Sequence, residues 1–342
     1  MINTYEREYC PECNSSGRAM YSKMSDRLFG APGEWDLNKC VNPECAVMWL
    51  SPLPVEEEIY KAYETYYTHV PERSSHSSRL ADLYRQASDA YYSVYFKYPK
   101  KDLTRLALLS AKILRLIPRR AAHLDFLAFH LEYEEHGTLL EVGCGGGNHL
   151  LSMQELGWTV KGIDIDPKAV QACQELGLPA ENTTIEQLAD RSEKFDAVVM
   201  SHVIEHVYDP RKMIEDAYKL LKPGGKLVLI TPNNESFSEF VFGRNWLELD
   251  PPRHLVIFNM RSLKNLMTSV GFNTVADTSI RFSDGAMIAS LSILRQGKAT
   301  MNRHSRLLGW VGKIYQILHF ILYRISKRFG EELVMIGTKK IE

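Results

Sequence analysis

Residues 138–149 restrict the fold of this chain more than any other stretch. An apolar run, Thr138-Leu-Leu-Glu141-Val-Gly143, leads into Cys144-Gly145-Gly146-Gly147-Asn148-His149 and at once into a helical pattern, HLLSMQEL. A strand that ends in glycines and turns directly into a helix opens a βαβ unit. Glycines let the backbone approach a ligand closely, and the first turn of a helix offers N–H groups without partners of their own. The dinucleotide pattern G-x-G-x-x-G fails, because counting from Gly143 its third glycine position holds Asn148; no Lys-Ser/Thr follows to make a phosphate loop. Asp164 closes the next strand, TVKGIDID, 21 residues after Gly143. At that separation an acid reaches the ribose hydroxyls of a nucleoside ligand.

Strand and helix patterns alternate from there to the end. PKAVQACQELG has Pro in its first turn and Gly after its last. FDAVVMS reads as a strand, PRKMIEDAYKLLKPGG as a helix and turn, KLVLITP as a strand, SLKNLMTSVGF as a helix, TVADTSIRF as a strand and ELVMIGTKK as the last strand. The expectation is an α/β fold with a mostly parallel sheet covered by helices on both faces. The N-terminal third reads differently. Residues 1–53 are rich in turn formers and short of periodicity, so a unit of that size needs a staple. Residues 54–78 begin with an acidic helical run, PVEEEIYKAYETYY, and end in the linker SSHSS. Residues 79–131 read as two or three helices divided by Pro99 and Pro118, with Leu80, Leu83, Tyr84 and Ala87, and then Leu106, Leu109, Ile113 and Leu116, at helical spacing. The expected organisation is a module at 1–53, a helical linker or lid at 54–131, and an α/β domain at 132–342 with an insertion at about 284–330.

Composition narrows the function. Of 342 residues 45% are hydrophobic and 24% charged, which excludes a wholly disordered chain. Lys+Arg and Asp+Glu number 41 and 42, which argues against a polycation that coats nucleic acid. No apolar run is long enough for a transmembrane helix, and no basic stretch followed by an apolar run marks a secretory leader. Six cysteines in such a chain suit the reducing cytoplasm.

Glu141-Val-Gly143-Cys-Gly145-Gly-Gly147 followed by Asp164 resembles the first motif and the strand-two acid of class I S-adenosylmethionine-dependent methyltransferases. Phe195-Asp196-Ala-Val-Val and Leu-Lys-Pro223-Gly224-Gly225 stand in the matching order, and the resemblance covers about 138–282 and the last strand. It implies a Rossmann-like seven-stranded sheet with S-adenosyl-L-methionine as cofactor. Gly143, Cys144, Gly145 and Gly147 would lie against that cofactor and Glu141 near its amino-acid end. Asp164 would hold the ribose and Ile165 pack on adenine, while Ser201 and His202 would face the methionine portion.

His202-Val-Ile-Glu205-His206 also spells an inverted zinc-protease string, but His202 directly follows a strand whereas that chemistry needs both imidazoles on one helix. The better match is to O-methyltransferases of the ubiquinone-biosynthesis type, which have an E-H pair after strand four. Methyl transfer from a sulfonium is an in-line displacement in which the protein mainly positions the partners. A hydroxyl acceptor must also lose a proton, for which His206 and His254 are candidate general bases. The resemblance implies a divalent ion at Glu205 and His206 as another route; the plainer role is local capping. The long connection TPNNESFSEFVFGRNWLELDPPRHLVIF resembles a W…P-R-H-L…F element that implies a wall over the substrate. Trp246 and Arg253 are its candidate substrate contacts, Arg253 being suited to phosphate or carboxylate. The acceptor is expected to be a small molecule, a sugar or a lipid-linked glycan, methylated at oxygen or carbon. An RNA methyltransferase and a non-catalytic cofactor-binding protein are the rival readings. Ser201-His202-Val-Ile stands where an N/D-P-P-Y motif for base nitrogens would be.

Cys10-Pro-Glu-Cys13 and Cys40-Val-Asn-Pro-Glu-Cys45 lie 26 residues apart. Two close thiol pairs far apart in sequence are how a ribbon supplies a tetrahedral structural Zn2+. Cys144 and Cys173 read as ordinary small residues of the core or site. Two stretches, 97–120 with eight Lys/Arg and one Asp, and 303–328, RHSRLLGWVGKIYQILHFILYRISKR, are basic and apolar. Packing as a lid is expected of them, with peripheral contact to an anionic membrane face as the alternative. Nucleic acid is the least favoured partner.

Overall fold

The N-terminal segment is built of short strands: β1 (Thr4–Tyr5), β2 (Gly17–Met24), β3 (Trp35–Cys40), β4 (Met48–Ser51) and β5 (Leu53–Pro54). In this computed structural model the residues described are 2–64, 79–100, 103–281, 283–299 and 306–341. The SSHSS stretch and residues 303–305 of the second basic run lie outside them. The acidic run forms a 3-10 helix over Glu56–Ala62. Helices α1 (Arg79–Phe96), α2 (Arg105–Leu116) and α3 (Pro118–Leu127) follow. Thr104 caps α2 by accepting from Ala107 N–H, and Pro118 takes the first position of α3, where the missing N–H costs nothing.

The alternating region begins with β6 (Thr138–Val142), α4 (Asn148–Glu155), β7 (Thr159–Asp164), α5 (Pro167–Glu175), β8 (Ala180–Asn182), α6 (Ile185–Ala189) and β9 (Phe195–Ser201). It continues with α7 (Pro210–Leu220), β10 (Leu221–Pro232), α8 (Phe237–Phe242), β11 (Val256–Ile257), α9 (Met260–Val270) and β12 (Asn273–Ser279), and ends with α10 (Ser283–Gln296), α11 (Arg306–Ile325) and β13 (Glu332–Thr338). Seven strands make one sheet in the order β12-β13-β10-β9-β6-β7-β8. β6 runs parallel to both β7 and β9, and β12 antiparallel to β13. The strand order reverses at β6, so the carboxyl ends of β6 and β9 flank the switch point where open α/β sheets bind ligands. Ala197, Val198, Val199 and Met200 of β9 are fully buried on both faces, contributing roughly 1.5–3 kcal/mol for each large side chain.

The chain forms two compact units, one of Met1–Tyr67, Ser201–Glu215 and Leu229–Lys340, the other of Thr68–Met200, Asp216–Val228 and Ile341–Glu342. In the first, the cysteine-bearing strands make a sheet in the order β11-β4-β3-β2, so its edge strand comes from the connection after β10. Asn259 Nδ2 donates to Cys45 O, and Asn234 Nδ2 to Ala46 O, tying the same connection to the second cysteine pair.

Two helices turn apolar faces to solvent. In α2 the residues with helical spacing, Leu106, Leu109, Ile113 and Leu116, are exposed, and Ala107, Ala111 and Leu114 are buried instead. Spacing marks a stripe but not which of two stripes is covered; here the small alanines lie inward, where they permit close helix approach. In α11 Trp310, Ile314, Ile317, Ile321 and Ile325 are exposed, whereas His319 is buried and donates from Nε2 to Phe329 O at 2.7 Å. No helix among the described residues is long and apolar enough to cross a membrane.

Candidate active site

The glycine loop belongs to the second unit. β6 delivers it because Gly143 N–H and Cys144 N–H both bond Ile163 O of β7. Gly143, Gly145 and Gly147 all have left-handed φ, at 71°, 51° and 79°. Asp164 is fixed by two backbone donors: Oδ2 accepts from Gly145 N–H at 2.9 Å and Oδ1 from Asp166 N–H at 2.9 Å. A Cβ at Gly147 would meet Cys173 Sγ and Leu178 Cδ1 at 2.9 Å, while the space beside Gly145 is open. Cys144 and Cys173 sit beneath the loop with sulfurs 3.7 Å apart, and Cys173 donates to Gly145 O.

Three observations fit this loop to S-adenosylmethionine. Ile165 is 78% exposed directly beside Asp164, an aliphatic surface that a flat base would cover. Gly145 leaves room above the loop. Glu141 is buried with Oε1 3.4 Å from His149 Nδ1, and its Oε2 has no hydrogen-bond partner among the described residues. Burial pushes that carboxyl up, so a cationic ammonium is the group that would relieve it. His149 is itself held edge-on to Phe126 and Phe129.

The second cluster lies within the first unit. β9 ends at Ser201, and His202 adopts a left-handed φ of 55° with its N–H on Ile230 O. This turn ends the strand, and only a short 3-10 turn, Ile204–His206, follows. The protease reading is therefore excluded by geometry as well as by pattern. His202 lies 3.3 Å from Glu205 Oε1 through Nδ1 and 3.2 Å from Glu332 Oε1 through Nε2. Burial opposes a charge on it, but the two carboxylates outweigh burial and keep it protonated. Arg281 also donates to Glu332, through Nη2 to the same Oε1 and through Nε to Oε2.

Glu205 is wholly buried. Its Oε2 accepts from Thr231 Oγ1 at 2.9 Å, and its Oε1 faces His202 Nδ1 at 3.3 Å. His206 Nδ1 is 3.0 Å from Arg253 O and 3.1 Å from Tyr63 Oη, and His254 Nδ1 is 2.7 Å from Glu248 O. A carbonyl can only accept, so both Nδ1 atoms carry a proton, and in the neutral tautomer of each ring Nε2 is the atom left to bind a ligand. The two rings stand 4.7 Å apart, and ligand atoms of Glu205, His206 and His254 lie within 4.8 Å of one another. Burial, and then the neighbouring His254, push His206 down to about 4, with Glu205 working the other way.

The two expected substrate contacts are not surface groups. Trp246 is buried and donates from Nε1 to Glu331 Oε1 at 2.8 Å. Arg253 is fully buried and commits every donor inside the protein: Nε to Asp250, Nη1 to Asp26 and Ala62 O, and Nη2 to Asp26 and Asp250. It cannot also clamp an anionic substrate group, so the expectation for Arg253 is corrected. The motif supplies a cation, and the fold places two aspartates around it. Asp26, Asp250, Glu332, Arg281 and Tyr63 were not singled out in the sequence.

Cys10, Cys13, Cys40 and Cys45 converge, with Cys10 and Cys45 sulfurs 3.6 Å apart and those of Cys13 and Cys40 3.4 Å apart. All four sulfurs lie within 4.8 Å of one another, a donor set suited to one tetrahedral soft ion.

Residues 107–277, half of the chain, match the family model described as a methyltransferase domain. The chain belongs to the methyltransferase family. Among curated proteins, this methyltransferase is 38% identical over 117 residues to the ubiquinone biosynthesis O-methyltransferase of Cereibacter sphaeroides, covering 32% of this chain and 47% of that protein. It is 36% identical over 139 residues to the enzyme of the same name from Xanthomonas oryzae pv. oryzae, covering 38% and 58%. The chain thus spans about half the length of the curated relatives it matches. A solved S-adenosylmethionine-dependent methyltransferase from Archaeoglobus fulgidus aligns at 19% identity and a TM-score of 0.43, over 69% of this chain and 100% of that one.

Proposed function

We propose that this methyltransferase moves the methyl group of S-adenosylmethionine to a hydroxyl oxygen of a small-molecule, sugar or lipid-linked glycan acceptor. The supporting observation is the Glu205–His206–His254 cluster, whose ligand atoms lie within 4.8 Å of one another around a wholly buried carboxylate. Backbone carbonyls on both Nδ1 atoms fix tautomer and ring orientation, the usual outer support of a metal-bound histidine. The three residues would hold a divalent ion, which supplies Lewis acidity to an acceptor oxygen. In this reading His206 and His254 serve as ligands in place of general bases, and the protonated His202 balances Glu205 and Glu332. Glu141, the glycine loop and Asp164 would hold the cofactor.

Cys10, Cys13, Cys40 and Cys45 would hold one structural zinc, which the small cysteine-bearing sheet needs for stability. The exposed apolar face of α11, with Lys313, Arg324, Lys327 and Arg328 along or just beyond it and no acid between Arg306 and Gly330, supports peripheral contact with an anionic membrane.

Metal content and label transfer test the reading together. Wild type should carry zinc plus a second divalent ion, and Glu205→Gln should lose the second alone. With methyl-deuterated S-adenosylmethionine and a cell extract, the label should appear on an oxygen. Full activity in a protein stripped of the second ion but retaining zinc would return His206 and His254 to the general-base role.

A further inference from the structure

Arg253 was the sequence's best candidate for an anion site, and burial removes it. A different anion site is present in the same unit. A cavity of about 760 Å3 is walled by Arg18 of β2, Lys39 of β3, Arg261 and Lys264 of α9, and Arg328, with Glu235 as the acid among its lining residues. Arg261 pairs with Glu44 and Arg328 with Glu235. Arg18, Lys39 and Lys264 have no carboxylate partner among the described residues. The chain as a whole carries a net charge of −1, so five cations around one hollow are a local concentration and not a reflection of composition.

The position of two of them sharpens the argument. Arg261 and Lys264 stand in the first turns of α9, the end of a helix where the backbone dipole disfavours cations. Asn259 caps this helix through Ser262 N–H, while the N–H groups of Met260 and Arg261 have no acceptor among the described residues. Cations crowded against the positive end of a helix are stabilised together when an anion sits between them. The volume is that of a small-ligand pocket. Its remaining walls, Val41, Pro43, Ala46 and Met260 among them, include no aromatic ring. Single-stranded nucleic acid is held by basic grooves with aromatic stacking platforms, which this cavity lacks.

We propose that the cavity walled by Arg18, Lys39, Arg261, Lys264 and Arg328 binds the phosphate or diphosphate group of a small phosphorylated ligand. If the methyl-transfer reading holds, this makes the acceptor, or a ligand that accompanies it, a phosphate ester or phosphoanhydride. The site is nevertheless testable without methyl transfer.

The experiment titrates the full-length, zinc-loaded chain with inorganic pyrophosphate and with inorganic phosphate, in the absence of methyl donor. Heat of binding and 31P line broadening are the readouts. Pyrophosphate should bind with a Kd below about 1 mM at low salt and weaken as salt rises. Arg18→Gln with Lys264→Gln should weaken it by about tenfold or more, with an unchanged melting temperature. Lys226→Gln, outside the cavity, should leave binding unaltered. Sedimentation with phosphatidic acid vesicles, competed by pyrophosphate, tells a lipid-borne phosphate from a soluble one, and displacement by pyrophosphate supports the site in either case. No binding of pyrophosphate, or binding indifferent to the double substitution, would overturn the proposal. So would tighter binding of an oligouridylate lost in the same double variant, because the site would then belong to nucleic acid. None of these outcomes depends on whether the label transfer above succeeds.

Discussion

Replacing Arg253 by Met separates a structural cation from a substrate clamp. The side chain is fully buried between Asp26 and Asp250, and its donors also reach Ala62 O. Burial works against the charge on Asp26, but Arg253 and the N–H groups of Phe29 and Ala31 outweigh it and hold the carboxyl at about 2, below its ordinary 3.8. A drop of that size corresponds to about 2–3 kcal/mol of stability at neutral pH, of which Arg253 supplies a part. Removing the guanidinium also strands Asp250, and breaking a buried pair costs about 3–5 kcal/mol. We expect Arg253→Met to lose about that much in urea unfolding at pH 7, followed by circular dichroism and tryptophan fluorescence. The sign with pH is fixed. Asp26 has a depressed folded pKa, so its contribution is full above about 3.8 and fades as pH falls towards about 2. Wild type and variant should therefore converge over that window. Adding Asp26→Asn and Asp250→Asn should recover much of the loss at pH 7, because no buried charge is then left alone. A loss under about 1 kcal/mol, joined to a raised KM for the acceptor, would refute the structural assignment and restore the substrate role.

The glycine loop and Glu331 give two further expectations. Gly145→Ala places a methyl in the open space above the loop, so it should weaken S-adenosylmethionine binding in calorimetry, and its left-handed φ of 51° adds about 1 kcal/mol of lost stability. Gly147→Ala adds contacts at 2.9 Å to a left-handed φ, and should cost about 1–3 kcal/mol of stability as well. Glu331 is pushed up to about 7 by burial, and its Oε2 has no donor among the described residues. A raised acid costs stability as pH climbs from its ordinary 4.5 through about 7. Glu331→Gln keeps an oxygen for Trp246 Nε1, so it should stabilise the protein by up to about 3 kcal/mol at pH 8 and by little at pH 5. Equal effects at both pH values would contradict this.

Much of the site was legible because its chemistry lies in local sequence. Gly143, Gly145 and Gly147 need left-handed backbone, and Asp164 caps the loop at a fixed distance along a βαβ unit, so spacing alone locates them. The cysteine pairs were legible for the same reason. The apolar stripe of α2 was legible as a stripe, but its exposure was not, since periodicity is blind to which face a neighbour covers. Arg253 was misassigned because a motif reports a cation and says nothing of the aspartates that surround it.

Sequence by itself therefore determined the α/β order, the glycine loop with its acid, the cysteine quartet and the E-H pair. Each is a matter of backbone propensity or of residues within one turn or one βαβ unit. Tertiary structure alone decided that Glu205 meets His254, that Arg253 is consumed by Asp26 across more than two hundred residues, and that five scattered cations share one hollow. These depend on side chains brought together by packing, whose partners are set by burial and charge neutralisation in space and leave no period in the chain.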